Sequence, residues 1–124
     1  MKRARFSLEG FTLLELLVVL TIIGILMTIG MAAYTGVIES ATRRAVEVEI
    51  SQFQVAIFNF KIEEGRMPSS TEELLSSGYI TQELLKDPWG ESYILRENEG
   101  RYQIVSKGPD KKIGTKDDIV KTLD

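Results

Sequence analysis

The sequence predicts an α+β protein: a long N-terminal α-helix, half membrane-spanning and half amphipathic, packed on a small C-terminal antiparallel β-sheet. Three observations predict it. Residues 11–33 form an apolar run whose only charge is Glu15. Apolar residues then recur in steps of four and three at Val46, Ile50, Phe53, Ile57 and Phe60, which marks one face of a helix. Beyond residue 90 the period changes to alternation, in Ser92–Arg96 and Arg101–Ser106, both rich in β-formers.

The first ten residues are short, basic and end in glycine. Lys2, Arg3 and Arg5 place this end on the cytoplasmic side of a membrane. An ordinary secretory signal is cut after its apolar stretch, at a small-x-small site. Here the expected cut, between Gly10 and Phe11, precedes that stretch, so the apolar segment stays on the mature chain. Its 23 residues span roughly 34 Å as a helix, enough to cross a bilayer. A carboxylate in hydrocarbon costs several kcal/mol, so Glu15 is a functional residue by default and needs a cationic partner. Cutting after Gly10 creates one, the α-amino group of Phe11, four residues away. Amine and carboxylate could neutralise each other between neighbouring subunits.

No proline interrupts the chain before Pro68, so one helix is expected over residues 12–64, roughly 80 Å long. Gly65 is its expected stop. Gly24, Gly30 and Gly36 either allow close helix packing or mark where the helix could melt. Glu39, Arg43, Arg44, Glu47 and Glu49 are expected to form a solvated or subunit-facing surface. Ser70 and Glu73 have capping-box spacing before a short helix. A further short turn is expected over residues 81–85. Asp87-Pro88-Trp89-Gly90 reads as a turn whose Trp packs over the sheet. The two alternating segments form a hairpin across Asn98-Glu99-Gly100, and residues 119–123 a last short strand. Tyr79, Tyr93 and Tyr102 are read as packing residues.

The chain has 124 residues, no cysteine and no histidine. Without the leader, side-chain charges of residues 11–124 sum to −5, which argues against nucleic acid as a partner. Ser-His and Cys-His catalysis and His-ligated zinc are excluded. With no evident nucleophile and no phosphate-cradling glycine loop, the chain is not read as an enzyme. A small extracytoplasmic domain without disulfides needs another staple. Asp110, Asp117 and Asp118 share one glycine-containing loop, and carboxylates with loop carbonyls are what a hard cation takes. The spacing is not that of an EF-hand. By themselves three aspartates in a loop are usually solvated turn formers, and Lys111, Lys112 and Lys116 among them would oppose a cation if they pointed inward.

Glu9-Gly10-Phe11-Thr12-Leu13-Leu14-Glu15 resembles the leader and mature start of type IV pilins and pseudopilins. Arg66-Met-Pro-Ser, Asp87-Pro-Trp-Gly-Glu-Ser-Tyr and the segment from Ser106 to Ile119 resemble the major pseudopilin of type II secretion, the general secretion protein G family. The resemblance covers nearly the whole chain. It implies a pilin-like fold and a homopolymer that forms a short periplasmic fibre and helps export folded proteins through an outer-membrane secretin. It implies a leader of residues 1–10, a membrane and polymerisation helix of residues 11–33, and a periplasmic domain of residues 34–124. A prepilin peptidase would cut at Gly10–Phe11 and N-methylate Phe11. Minor pseudopilins and an inner-membrane secretion platform would be partners. One Ca²⁺ would be bound by Asp110, Asp117 and Asp118, with the Lys107 carbonyl as a further ligand. Two departures stand out: the family's proline near Ala32 is absent, and the loop before Asp87 is short. A type IV pilus or competence pilin is the alternative. A membrane-anchored calcium-binding module that does not polymerise is a third reading, which replacing Glu15 separates from the first.

Overall fold

The computed structural model describes residues 10–123 and divides into two units, Met1–Glu39 and Ser40–Asp124. The leader expected over residues 1–10 lies outside the described residues, Gly10 excepted. Helix α1, Leu13–Glu64, runs through both units. Its start and end fall within a residue of expectation. It passes Gly24, Gly30 and Gly36 without a break, and among the described residues nothing beyond the adjacent helix backbone stands within 4 Å of where their side chains would begin.

In the first unit every described residue is exposed. The most apolar window of α1 has a mean hydropathy of 2.6 and is not buried, long and apolar enough to cross a membrane. Burying such a face requires lipid or other copies of the helix.

The second unit has its own core. Val46, Ile50, Phe53, Ile57 and Phe60 of α1 are all buried, as their spacing predicts. Gly65 follows with φ +70, a left-handed conformation that ends the helix at little cost only for glycine. Helix α2, Thr71–Ser76, is capped by Ser70, whose hydroxyl accepts from the Glu73 N–H at 3.2 Å. The return half of that capping box is not made. Glu73 instead accepts from the Ser69 N–H at 2.6 Å and pairs with Arg66 at 2.5 Å. Arg66 in turn lies over the Phe60 ring, 5.0 Å from its centroid.

The sheet has three antiparallel strands in the order β1-β2-β3: β1 Ile94–Asn98, β2 Arg101–Ser106 and β3 Ile119–Leu123. Asn98 belongs to β1, paired with Arg101, so the hairpin turn is the two-residue Glu99-Gly100. Both have positive φ, 52° and 76°, as a turn matching the right-handed strand twist requires. Leu74 of α2, Ile104 of β2 and Tyr93 complete the core, and the Tyr93 ring meets Phe53 edge-on at 5.1 Å. The Tyr93 hydroxyl donates to Glu49. Burial, reinforced by that acceptor, pushes the phenol's ionisation well above its ordinary value. Glu49 is therefore half-buried structure and not a solvated residue.

Asp87 is buried and ties the aromatic turn to the sheet. Its Oδ1 accepts from the Trp89 N–H at 3.1 Å and the Glu91 N–H at 2.9 Å. Its Oδ2 accepts from the Ser106 hydroxyl at 2.7 Å. Trp89 is partly buried and packs against the core.

Candidate functional site

The first candidate site is the start of α1. Thr12 and Glu15 form a reciprocal cap: the Thr12 N–H donates to Glu15 Oε2 at 3.1 Å, and the Glu15 N–H donates to Thr12 Oγ1 at 3.2 Å. The T-x-x-E spacing at residues 12–15 is a capping-box signature, a local role beside the pairing that the lone charge of Glu15 predicts. The carboxylate also sits where the helix dipole favours a negative charge. Phe11 and Gly10 precede the helix and are exposed. The exposed Gly10–Phe11 bond thus lies just before the helix, with the Glu15 carboxylate four positions beyond Phe11.

The second candidate site is the loop after β2. The Gly108 N–H donates to Ser106 Oγ at 3.3 Å, which chains the loop to buried Asp87. Gly108 has φ +73, and a Cβ there would stand 2.1 Å from the Asp117 carbonyl oxygen. Only glycine lets the two ends of the loop meet this closely. Lys107 Nζ pairs with Glu91 at 3.1 Å, directing the charged side chain towards the aromatic turn.

The three aspartates are placed as follows. Asp110 accepts from the Lys112 N–H at 3.0 Å. The Thr115 hydroxyl, with that N–H, holds the Asp110 carboxyl below the usual carboxylate range. Asp118 Oδ2 accepts from the Gly114 N–H at 2.6 Å, and its Oδ1 lies 3.5 Å from the Thr115 hydroxyl. The Thr115 hydroxyl donates at 3.3 Å to the Lys112 carbonyl, a contact invisible to a search for charged residues. Asp117 joins the loop's closure through its backbone. Among the described residues no three acidic groups converge as a metal-holding cluster. The donor set is all oxygen, which suits Ca²⁺ chemically. Asp110 and Asp118 each accept one backbone N–H on one oxygen, which leaves the other oxygen's lone pairs able to meet an ion.

Fold and sites together define a class: an α+β chain whose long helix begins in an exposed apolar half with a single carboxylate in its first turn. Residues 33–122 match the family "Type II secretion system (T2SS), protein G", and residues 9–31 match the "Prokaryotic N-terminal methylation motif". The chain is 33% identical to the type II secretion system core protein G of Escherichia coli K12, over 94% of this chain and 92% of that protein. It is 34% identical to the core protein G of Pectobacterium carotovorum, over 90% of this chain and 82% of that protein. The competence protein ComGC of Halalkalibacterium halodurans is 30% identical over 77% of this chain and 92% of its own length. No solved structure matches the chain significantly. The chain belongs to the type II secretion system protein G family.

Proposed function

We infer that the protein is a structural subunit of the type II secretion pseudopilus, polymerising through its N-terminal helix to help export folded proteins across the outer membrane. The family assignment supports this reading, and one observation carries it: an apolar helical half that stays exposed among the described residues, with a single carboxylate in its first turn. The competence relative is less extensively matched, and the whole-chain agreement lies with secretion. The role is structural and not enzymatic.

In this reading a prepilin peptidase cuts Gly10–Phe11 and N-methylates Phe11, and the match to the methylation motif over residues 9–31 supports it. The helix holds the subunit in the inner membrane with its N-terminus cytoplasmic and residues 34–124 periplasmic. Minor pseudopilins and the inner-membrane platform are its partners. Glu15 pairs with the Phe11 amine of an adjacent subunit, and breaking such a pair leaves one uncompensated charge in an apolar surrounding. Asp110, Asp117, Asp118 and the Lys107 carbonyl hold one Ca²⁺, which would tie the tail to the sheet in place of a disulfide.

The test is intact mass of the membrane-extracted protein together with fibre yield for Glu15→Ala. A mature chain beginning at Phe11, with fibres lost in the variant while membrane insertion persists, is the expected result. A chain beginning at Met1, or full fibre yield without Glu15, overturns the reading.

A further inference from the structure

Ser106 ends β2, is fully buried, and stands directly before the loop that carries the three aspartates. Its hydroxyl has two partners. It donates to Asp87 Oδ2 at 2.7 Å and accepts from the Gly108 N–H at 3.3 Å. The second bond is a local turn, in which a serine oxygen takes the N–H two residues on. The first strengthens it, because a hydroxyl that donates to a carboxylate becomes a better acceptor.

This turn fixes one peptide plane. The Lys107–Gly108 peptide is trans, so its C=O and N–H point in opposite directions. With the Gly108 N–H held towards Ser106, the Lys107 carbonyl faces away from Ser106. The next carbonyl is already engaged: that of Gly108 accepts from the Lys111 N–H at 3.2 Å. The Lys107 ammonium is drawn aside to Glu91 at 3.1 Å, in the same aromatic turn as Asp87. The far end of the loop is fitted to this plane, since a Cβ on Gly108 would collide with the Asp117 carbonyl.

We propose that Ser106 is a positioning residue for the cation loop: anchored by Asp87, it aims the Lys107 carbonyl as a ligand and touches no ion itself. The inference rests on the calcium reading of this loop and adds two residues that are not ligands. A carbonyl freed from this plane loses its direction, and the ion loses a preorganised donor. Supporting contacts of this kind are worth about 10–100-fold in metal affinity.

The experiment measures Ca²⁺ affinity by calorimetry on the detergent-extracted chain, with melting in chelator recorded for each variant. Ser106→Ala should bind Ca²⁺ about 10–100-fold more weakly than the parent. Asp87→Asn keeps an acceptor for Trp89 and Glu91 but turns a donor towards Ser106. It should weaken binding in the same direction, and it decides the matter if Ser106→Ala does not fold. Ile57→Val trims the buried core of α1, and should melt earlier yet bind Ca²⁺ as the parent does. Parent affinity in folded Ser106→Ala or in Asp87→Asn overturns the positioning role and leaves calcium binding standing. Equal weakening in Ile57→Val also overturns it, since affinity would then follow stability alone. No Ca²⁺ heat from the parent overturns both readings.

Discussion

The Glu15 carboxylate and the Thr12 N–H are hydrogen-bonded at 3.1 Å, so the one charge of the apolar run is already engaged within its own chain. Glu15 therefore has two separable duties: capping α1, which needs an acceptor, and attracting a cation, which needs a charge. An interchain pair with the Phe11 amine must share or replace the Thr12 contact.

Glu15→Gln divides the two duties. The amide oxygen still accepts from Thr12, so helix content by circular dichroism should match the parent. Fibre yield should fall nearly as far as in Glu15→Ala. Assembly at the parent level in Glu15→Gln would make capping the residue's whole contribution.

Calcium should raise the melting temperature of the detergent-extracted chain by several degrees against a chelator, through preferential binding to the folded state. The rise should vanish in Asp117→Ala. Identical melting with and without the ion, and no heat of Ca²⁺ binding in calorimetry, would return the three aspartates to solvated turn residues.

Gly108 and Gly114 both have positive φ, 73° and 84°, yet only Gly108 faces a collision. Gly114→Ala should cost about 1–2 kcal/mol, the penalty of a left-handed backbone. Gly108→Ala adds the clash with the Asp117 carbonyl and should cost more, with the loop displaced. Equal losses in denaturant unfolding would show that the loop yields freely at Asp117.

Glu73 has a pKa lowered from 4.5 to about 2, first by its bond to Arg66 and then by Ser69. A depressed carboxylate contributes stability above its unfolded pKa and loses it as pH falls. The parent should therefore lose stability relative to Glu73→Gln between pH 4.5 and about 2, and the gap should be constant from pH 5 to 7. Parallel melting curves throughout that acid window would dismiss the Arg66–Glu73 pair as a stabilising contact.

The elements were legible wherever one stretch of chain carries its own signal. The period of Val46 to Phe60 announced the core face of α1, Gly65 its end, and alternation the two strands of the hairpin. Hairpin length was blurred by Asn98, a turn-former that here pairs in β1. Contacts between distant segments left no local trace. The Tyr93 hydroxyl reaches Glu49 across 44 positions, and Ser106 reaches Asp87 across 19. Thr115 was missed because a neutral hydroxyl carries no charge to attract notice. At the helix start the reverse held: the charge of Glu15 obscured an equally local cap.

Asp87 accepts from Trp89, Glu91 and Ser106, and Ser106 accepts from Gly108. Opening either the turn or the loop would leave a buried carboxylate short of donors. The two segments are thereby bound into one cooperative unit of local unfolding. Amide protons of Trp89, Glu91 and Gly108, well separated in the chain, should exchange with deuterium at a common rate. The tail's fluctuations are then governed from a carboxylate outside it, and a mutation in the aromatic turn would be felt first as loosening after β2.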